Sequence, residues 1–431
     1  MNAAGPRAQA RRAQRRPGPG RSPAGPRSAL GLAMATTVVA ATPPFLVGAL
    51  AVQVAGDLAF SATQLALCVA GYFAVSALLS PAAGRRVLTW GTGTCIVSAC
   101  TVAAGSLLAV ALAWHWTVLL AAMVAAGAGN ALVQPACNAL VGSRVAVARR
   151  GIALGLNQAS VPTSTLLCGV LVPAVALTAG WRWCAVSVAV AALLVGRAAG
   201  RAELGRPGSR AVSASLLGRR APLLVLAAAG ALAATAATSL PAFLIVSAYT
   251  VGFSPVAASS IQVCGSLAAI ATRVGFGWAA DRRSGHRLAT TACLMGAGAL
   301  GYALMSVAAL PAFAVGAVVA FGCGWGWNGL YNIAVSRLYP DAISSATGIS
   351  QSGIYAGGVL GPLVFGVLAQ YGSVGAAWAT MSGIAICAAS LVLLARLLFL
   401  RPGGVLVPAT AGTSGPPCVR CCDTGGVTQV L

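Results

Sequence analysis

Lysine is absent from this chain, acidic residues number only 5, and there are 2 histidines. Charged side chains make up 7% of the 431 residues, where a soluble domain carries about 25%. So few charges cannot cover the surface of a soluble fold of this length. Apolar types supply 58% of the residues and mean hydropathy is +0.87, so the composition points to an integral membrane protein. The same scarcity bears on catalysis. Two distant histidines, with no acid inside an apolar segment, supply no catalytic constellation, so an enzyme is not expected and no cofactor is called for.

All 27 basic residues are Arg, and the formal charge is +22. They do not form the single basic face, interleaved with aromatics, that nucleic acid requires. They stand in tails and short connections between apolar runs, so nucleic acid is excluded as a partner and the bilayer is the expected one. Ten of the 13 Cys are scattered singly among apolar residues, and Cys418, Cys421 and Cys422 cluster near the C-terminus. Zinc needs four ligands; no second Cys pair or nearby His is offered, so no metal is expected.

Residues 1–28 and 401–431 read as disordered tails, too polar or Pro-rich to pack. Between them the apolar runs are 29–54, 62–83, 92–113, 117–141, 152–178, 182–200, 222–249, 255–279, 288–309, 311–337, 344–371 and 375–400. Each is long enough to cross about 30 Å of hydrocarbon as a helix. The expected fold is therefore an all-α membrane protein with twelve transmembrane helices. With the N-terminus inside, the inner side receives the seven Arg of the tail, Arg85, Arg86, Arg144, Arg149, Arg150, Arg197 to Arg220, Arg282, Arg283, Arg287 and Arg337. The outer side receives Arg182 alone. That asymmetry obeys the positive-inside rule and places both termini in the cytoplasm.

The Arg-rich linker 201–221 divides the chain into an N-terminal bundle, 29–200, and a C-terminal bundle, 222–400. An internal repeat crosses it. Phe60-Ser61 matches Phe253-Ser254, Gly84 matches Gly277, Gly129 matches Gly322, Arg144 matches Arg337, Gly155 matches Gly348 and Gln158 matches Gln351, all at an offset of 193. Parallel six-helix halves of this kind place a binding site between them near mid-depth.

Between the eighth and ninth apolar runs stands Gly277-Trp278-Ala279-Ala280-Asp281-Arg282-Arg283, followed by Gly285. It resembles the cytoplasmic G-x-x-x-D-R-x-G loop of the major facilitator superfamily of secondary transporters, and over residues 30–400 the chain is similar to that family. The resemblance implies two pseudo-symmetric six-helix bundles and a gate built from Gly277, Asp281 and Arg282, with Gly84 and Arg85 at the matching place in the first half. There Leu88 replaces the family's Asp, so the first-half latch is expected to be weaker. Gly180-Trp181-Arg182-Trp183, Gly324 to Gly329, and the glycines of the eleventh helix (Gly353, Gly357, Gly361, Gly366) are further family-like text. The family's antiporter signature in the fifth helix is not kept: only Pro162, Gly169 and Pro173 stand there.

The candidate substrate residues are the polar ones inside apolar runs. Asn130 and Gln134, with Asn138, recur every fourth residue and so share one face of the fourth helix. Asn328 and Asn332 do the same in the tenth, with Tyr331 beside them. Gln158 and Gln351 are repeat mates, and Tyr355 lies one turn beyond Gln351. Arg273 is the basic residue that falls inside a span. Two roles are open to it: holding a carboxylate or oxyanion in its planar fork, as the resemblance to nitrate and oxalate carriers implies, or pairing with backbone carbonyls near the gate. His115, between Trp114 and Trp116, reads as an interfacial anchor. The expected function is movement of a small-molecule substrate by alternating access, a small anion on the strength of Arg273, by a monomer in the cell membrane. A carrier expelling lipophilic compounds is the alternative, and a non-transporting sensor of the same fold stands behind it.

Overall fold

The computed structural model describes residues 25–58, 61–146, 150–202, 204, 220–282, 287–339 and 343–400. Residues 1–24 and 401–431 of the expected tails, most of linker 201–221, the C-terminal Cys cluster, His286, Glu203, Asp341 and Asp423 lie outside these residues, whereas 26–28, expected as tail, open the first helix. Twelve helices among the described residues are long and apolar enough to cross a membrane. They are α1 Pro26–Ala49, α2 Ala62–Trp90, α3 Thr92–Ala111, α4 Trp116–Arg144, α5 Arg150–Leu171 and α6 Trp181–Arg201 in the first half. The second half holds α7 Arg220–Val251, α8 Pro255–Arg282, α9 Arg287–Ser306, α10 Leu310–Leu338, α11 Ile343–Tyr371 and α12 Val374–Leu400. No strand occurs among the described residues, as expected where hydrocarbon obliges backbone groups to pair within their own helix.

The structure changes several expected boundaries. The first run ends at Ala49, and a separate short helix, Ala51–Leu58, carries Asp57, which therefore lies in a helix rather than a loop. The α2 helix runs on to Trp90, so Gly84, Arg85 and Arg86 form its last turns instead of a loop; Arg86 lies 4.4 Å over the Trp90 ring. Hydropathy could not show this, because Arg side chains leave the apolar layer while their backbone continues as helix. The α10 span is broken: Leu310–Val319 passes through a π-helical turn, Ala320–Gly324, before Asn328–Leu338 resumes. Another π-turn, Val172–Ala176, closes α5.

The repeat is visible in how helices begin. Ser61 accepts from the Gln64 N–H at the start of α2 and Ser254 from the Ala257 N–H at the start of α8, so repeat mates cap equivalent helices. Starts of α2 and α8, α5 and α11, and α6 and α12 each differ by 193 residues. His115 caps α4 through its ring nitrogen, which the Thr117 N–H approaches at 3.4 Å.

Twelve crossings bring residues 25 and 400 to one side, here termed the terminal face. The halves meet along three seams: α1 with α7, α2 with α11, and α5 with α8. Within the second half α11 lies on α7 through a ridge of glycines. A Cβ on Gly353, Gly357 or Gly361 would strike the carbonyls of Ala227, Ala231 and Thr235 respectively. The register advances one turn per glycine, the close backbone approach that small residues permit in membranes.

Candidate functional site

Proline explains the first feature of the site. A proline in a helix removes the N–H that should bond the carbonyl four residues earlier, and in hydrocarbon that carbonyl must find another donor. Pro44 in α1 frees the Ala40 carbonyl, which accepts from the Tyr72 hydroxyl of α2 at 2.8 Å. Pro162 in α5 frees the Gln158 carbonyl, and Arg273 of α8 donates to it from Nη1 at 2.6 Å. Arg273 Nη2 donates at 2.9 Å to the carbonyl of Trp325, just past the π-turn of α10, and the guanidinium lies 5.1 Å from that indole. The side chain is 3% exposed and its Nε lacks a hydrogen-bond partner. One buried cation thus ties α8 to both α5 and α10. No carboxylate pairs with it among the described residues, where the sole ion pair is Arg182 with Asp57.

The α5–α8 seam carries more polar links that the sequence reading passed over. Gln262 donates to the Thr165 carbonyl at 3.0 Å, and the Thr165 and Ser266 hydroxyls meet at 2.8 Å. In the adjoining α1–α5 contact the Thr37 hydroxyl lies 3.2 Å from Asn157 Oδ1, and the fully buried Asn157 keeps its Nδ2 without a partner. A signal was present: Thr165, Ser266 and Gln262 recur at helical spacing on facing helices. It is easily lost among the Ser and Thr of an Ala-rich chain, since such hydroxyls commonly bond back to their own helix.

The expected residues are distributed as follows. Gln158 and Gln351 are half-buried. Gln158 meets Arg273 through its backbone, and Tyr355, itself buried, meets Gln351 of its own helix and Ser80 across the α2–α11 seam. Asn130 donates to Ser76 within its own half at 3.1 Å, and Asn332 donates to Asn328 at 2.8 Å. Gln134 is half-buried and Asn138 exposed. Among the described residues no hydrogen bond joins the polar row of α4 to that of α10; α4 packs on α1, α2 and α3, and α10 mainly on α7, α8 and α9. Of the gate residues, Gly277 is buried, Gly84 half-buried and Arg85 exposed. The side chains of Asp281 and Arg282 lie outside the described residues.

Seam contacts are tightest away from the terminal face. A Cβ on Gly48 of α1 would come within 2.6 Å of the Ala242 carbonyl of α7. Thr63 donates to the Gln370 side chain between α2 and α11, and Gly169 of α5 sits on Ser259 and Val263 of α8. On that opposite face Asp57 accepts from the Trp181 indole and from Arg182, both at 2.8 Å, and these two donors hold its carboxyl below the ordinary carboxylate range.

Twelve spanning helices in two repeat-related bundles, with a polar seam between the halves, define a multi-pass membrane transporter fold. The chain belongs to the Major Facilitator Superfamily, whose family description matches residues 29–344 and 225–419. Among solved structures it is similar to a bacterial homolog of the human lysosomal transporter Spinster in an inward-facing, occupied conformation. That likeness has a TM-score of 0.68 at 14% identity, covering 86% of this chain and 97% of the other. The unoccupied inward-facing form of the homolog matches with a TM-score of 0.62, also at 14% identity, covering 86% and 95%. No curated protein sequence gives a significant match.

Proposed function

We propose that the protein carries a small anion across the cell membrane by alternating access, rocking its two halves about the α1–α7, α2–α11 and α5–α8 seams. The observation that carries the cargo class is Arg273: a buried guanidinium, reached by no carboxylate among the described residues, with its Nε still unpaired. Such a charge is costly in hydrocarbon unless a partner or a polar cavity compensates it, and an anion between the halves does so. In this reading the terminal face is cytoplasmic and the seams are closed toward the outside. Rocking parts α5 from α8, and the guanidinium exchanges the Gln158 carbonyl for the cargo. Gln158, Gln351, Tyr355 and the Asn and Gln rows of α4 and α10 line its path, and Gly277, Asp281, Arg282, Gly84 and Arg85 form the cytoplasmic gate. The carrier works as a monomer of two bundles, 29–200 and 222–400, joined by linker 201–221.

Uptake of small carboxylates and oxyanions into proteoliposomes, by wild type and Arg273→Gln in parallel, tests the reading. Anion flux that the substitution abolishes supports it. Flux of lipophilic cations or neutral compounds, unchanged by the substitution, overturns it. That second reading has one observation in its favour: a crevice of about 530 Å³ at the α5–α8 seam, lined by apolar groups including Val170, Pro173, Ala174 and Val263.

A further inference from the structure

A second cavity lies away from the seams, on the flank of the first half and near the terminal face. It encloses about 380 Å³ between α3 and α6, lined by Val97 and Thr101 of α3 and by Leu193, Gly196, Arg197, Gly200 and Arg201 of α6. The spacing explains the groove. Gly196 and Gly200 stand one turn apart and present no side chain to α3. A Cβ on Gly196 would come within 3.0 Å of Cys100, while one on Gly200 would lie 3.8 Å from Val97. Helix and helix are therefore tightest at Gly196 and stand slightly farther apart at Gly200. Arg197 and Arg201, also one turn apart and so separated by about 6 Å along the axis, stand at the terminal-face end of this groove. Both are exposed, and neither has an ion pair or hydrogen bond among the described residues. Leu193, 49% exposed, continues the groove toward mid-membrane. Arg201 ends α6 at the terminal face, so the groove runs from a doubly cationic mouth into an apolar trough.

We propose that this groove binds one anionic glycerophospholipid, its phosphate held by Arg197 and Arg201 and an acyl chain laid along Leu193 and Val97. The chemistry fits the mouth, since a guanidinium presents paired donors to phosphate oxygens, and basic pockets at helix ends hold anionic headgroups. The positive-inside rule accounts for Arg at this face, but not for two of them one turn apart beside a groove. The repeat-equivalent positions on α12, offset by 193, are Ser390 and Leu394, and that helix end carries one Arg, Arg396, so the paired cations one turn apart belong to the first half.

The test uses full-length protein, purified in mild detergent and examined by native mass spectrometry with dioleoyl-phosphatidylglycerol or dioleoyl-phosphatidylcholine. Wild type is expected to retain one phosphatidylglycerol against competing phosphatidylcholine. Arg197→Gln with Arg201→Gln should weaken that retention about 25-fold, at roughly fivefold per Arg. Val97→Trp, which fills the trough and leaves both charges, should weaken it as well. If the double variant does not fold, the single Arg→Gln variants carry the same test with about fivefold losses each. Equal retention by wild type and the Arg→Gln variants overturns the site, and so does indifference to Val97→Trp. Displacement of the lipid by millimolar inorganic phosphate, with equal thermal protection, overturns the lipid assignment in favour of a free anion.

Discussion

Arg273 donates to the backbone carbonyl of Gln158 at 2.6 Å, across the seam between the two halves. The acceptor is the carbonyl that Pro162 leaves without its helical donor, so a helix defect in one half and a cation in the other are complementary. The other half shows the reverse. Offset by 193, Ser80 stands at the position of Arg273 and Tyr355 at that of Pro162. Tyr355 has a backbone N–H, so α11 frees no carbonyl at the position matching Gln158, its own Pro362 standing seven residues on, and α2 brings Ser80 rather than a cation to the position matching Arg273. The two peripheral seams share one geometry and differ in chemistry, which makes α5–α8 the polar clasp of the molecule.

Arg273→Lys should loosen that clasp. An ammonium is a compact point charge and cannot span two carbonyls as the fork does. Loss of one charge-assisted hydrogen bond predicts a destabilisation of about 1.5–3 kcal/mol, read as a lower Tm in detergent. An unchanged Tm would mean that the second carbonyl contact contributes nothing.

Tyr72→Phe removes only the hydroxyl that satisfies the Ala40 carbonyl. Hydrogen bonds between membrane helices average about 0.6 kcal/mol, with a maximum near 1.7, and a carbonyl freed by proline has no helical donor to return to. The expected loss is therefore about 1–2 kcal/mol, measured by equilibrium unfolding in mixed micelles. Phe73, next in sequence, meets the Tyr72 ring edge-on at 5.2 Å between ring centres and packs against Gly358, so Phe73→Leu alters packing while keeping the hydroxyl bond and gives the control.

Gly357→Val places a branched side chain against the Ala231 carbonyl and Ala234. Overpacking of this kind costs about 1–3 kcal/mol, occasionally more, and here backbone blocks relief. Expression should fall and the size-exclusion profile broaden. Gly383→Val, on α12 where a Cβ meets nothing within 4 Å, should be tolerated.

Asp57 gives the protein an acid-sensitive contact on the opposite face. Its carboxyl is held below the ordinary carboxylate range by the Trp181 hydrogen bond first and then by Arg182. A depressed carboxyl contributes stability that is fully present above the unfolded value and is lost as pH falls through the folded one. Tm should hold steady down to about pH 4 and then decline more in wild type than in Asp57→Asn. Parallel curves for the two proteins below pH 4 would remove Asp57 from the account.

Much of this arrangement was legible in the sequence. Twelve spans follow from apolar length, and the repeat from matched residues such as Ser61 and Ser254, which cap equivalent helices. The glycine ridge of α11 was readable too, because four-residue spacing on one face has a direct packing consequence. The site was less legible. Asn130 and Asn332 stood out by type and spacing, yet each bonds within its own half. What joins Arg273 to Gln158 is a backbone carbonyl, which residue identity does not advertise. Pro162 was the available clue, since its missing N–H names the carbonyl four residues earlier as an acceptor in need of a donor. The π-turn of α10, which brings Trp325 under Arg273, has no comparable signature in an apolar run.

The central claim, two halves that rock with Arg273 clasping one seam, is tested most directly by a distance across the opposite face. Dyes on unnatural amino acids at Leu112 and Tyr371, both exposed near the ends of α3 and α11, report it by single-molecule energy transfer in nanodiscs. The account predicts two exchanging distances, with the shorter one dominant in wild type and the longer one gaining population in Arg273→Gln. A single distance, identical in wild type and variant, would contradict it.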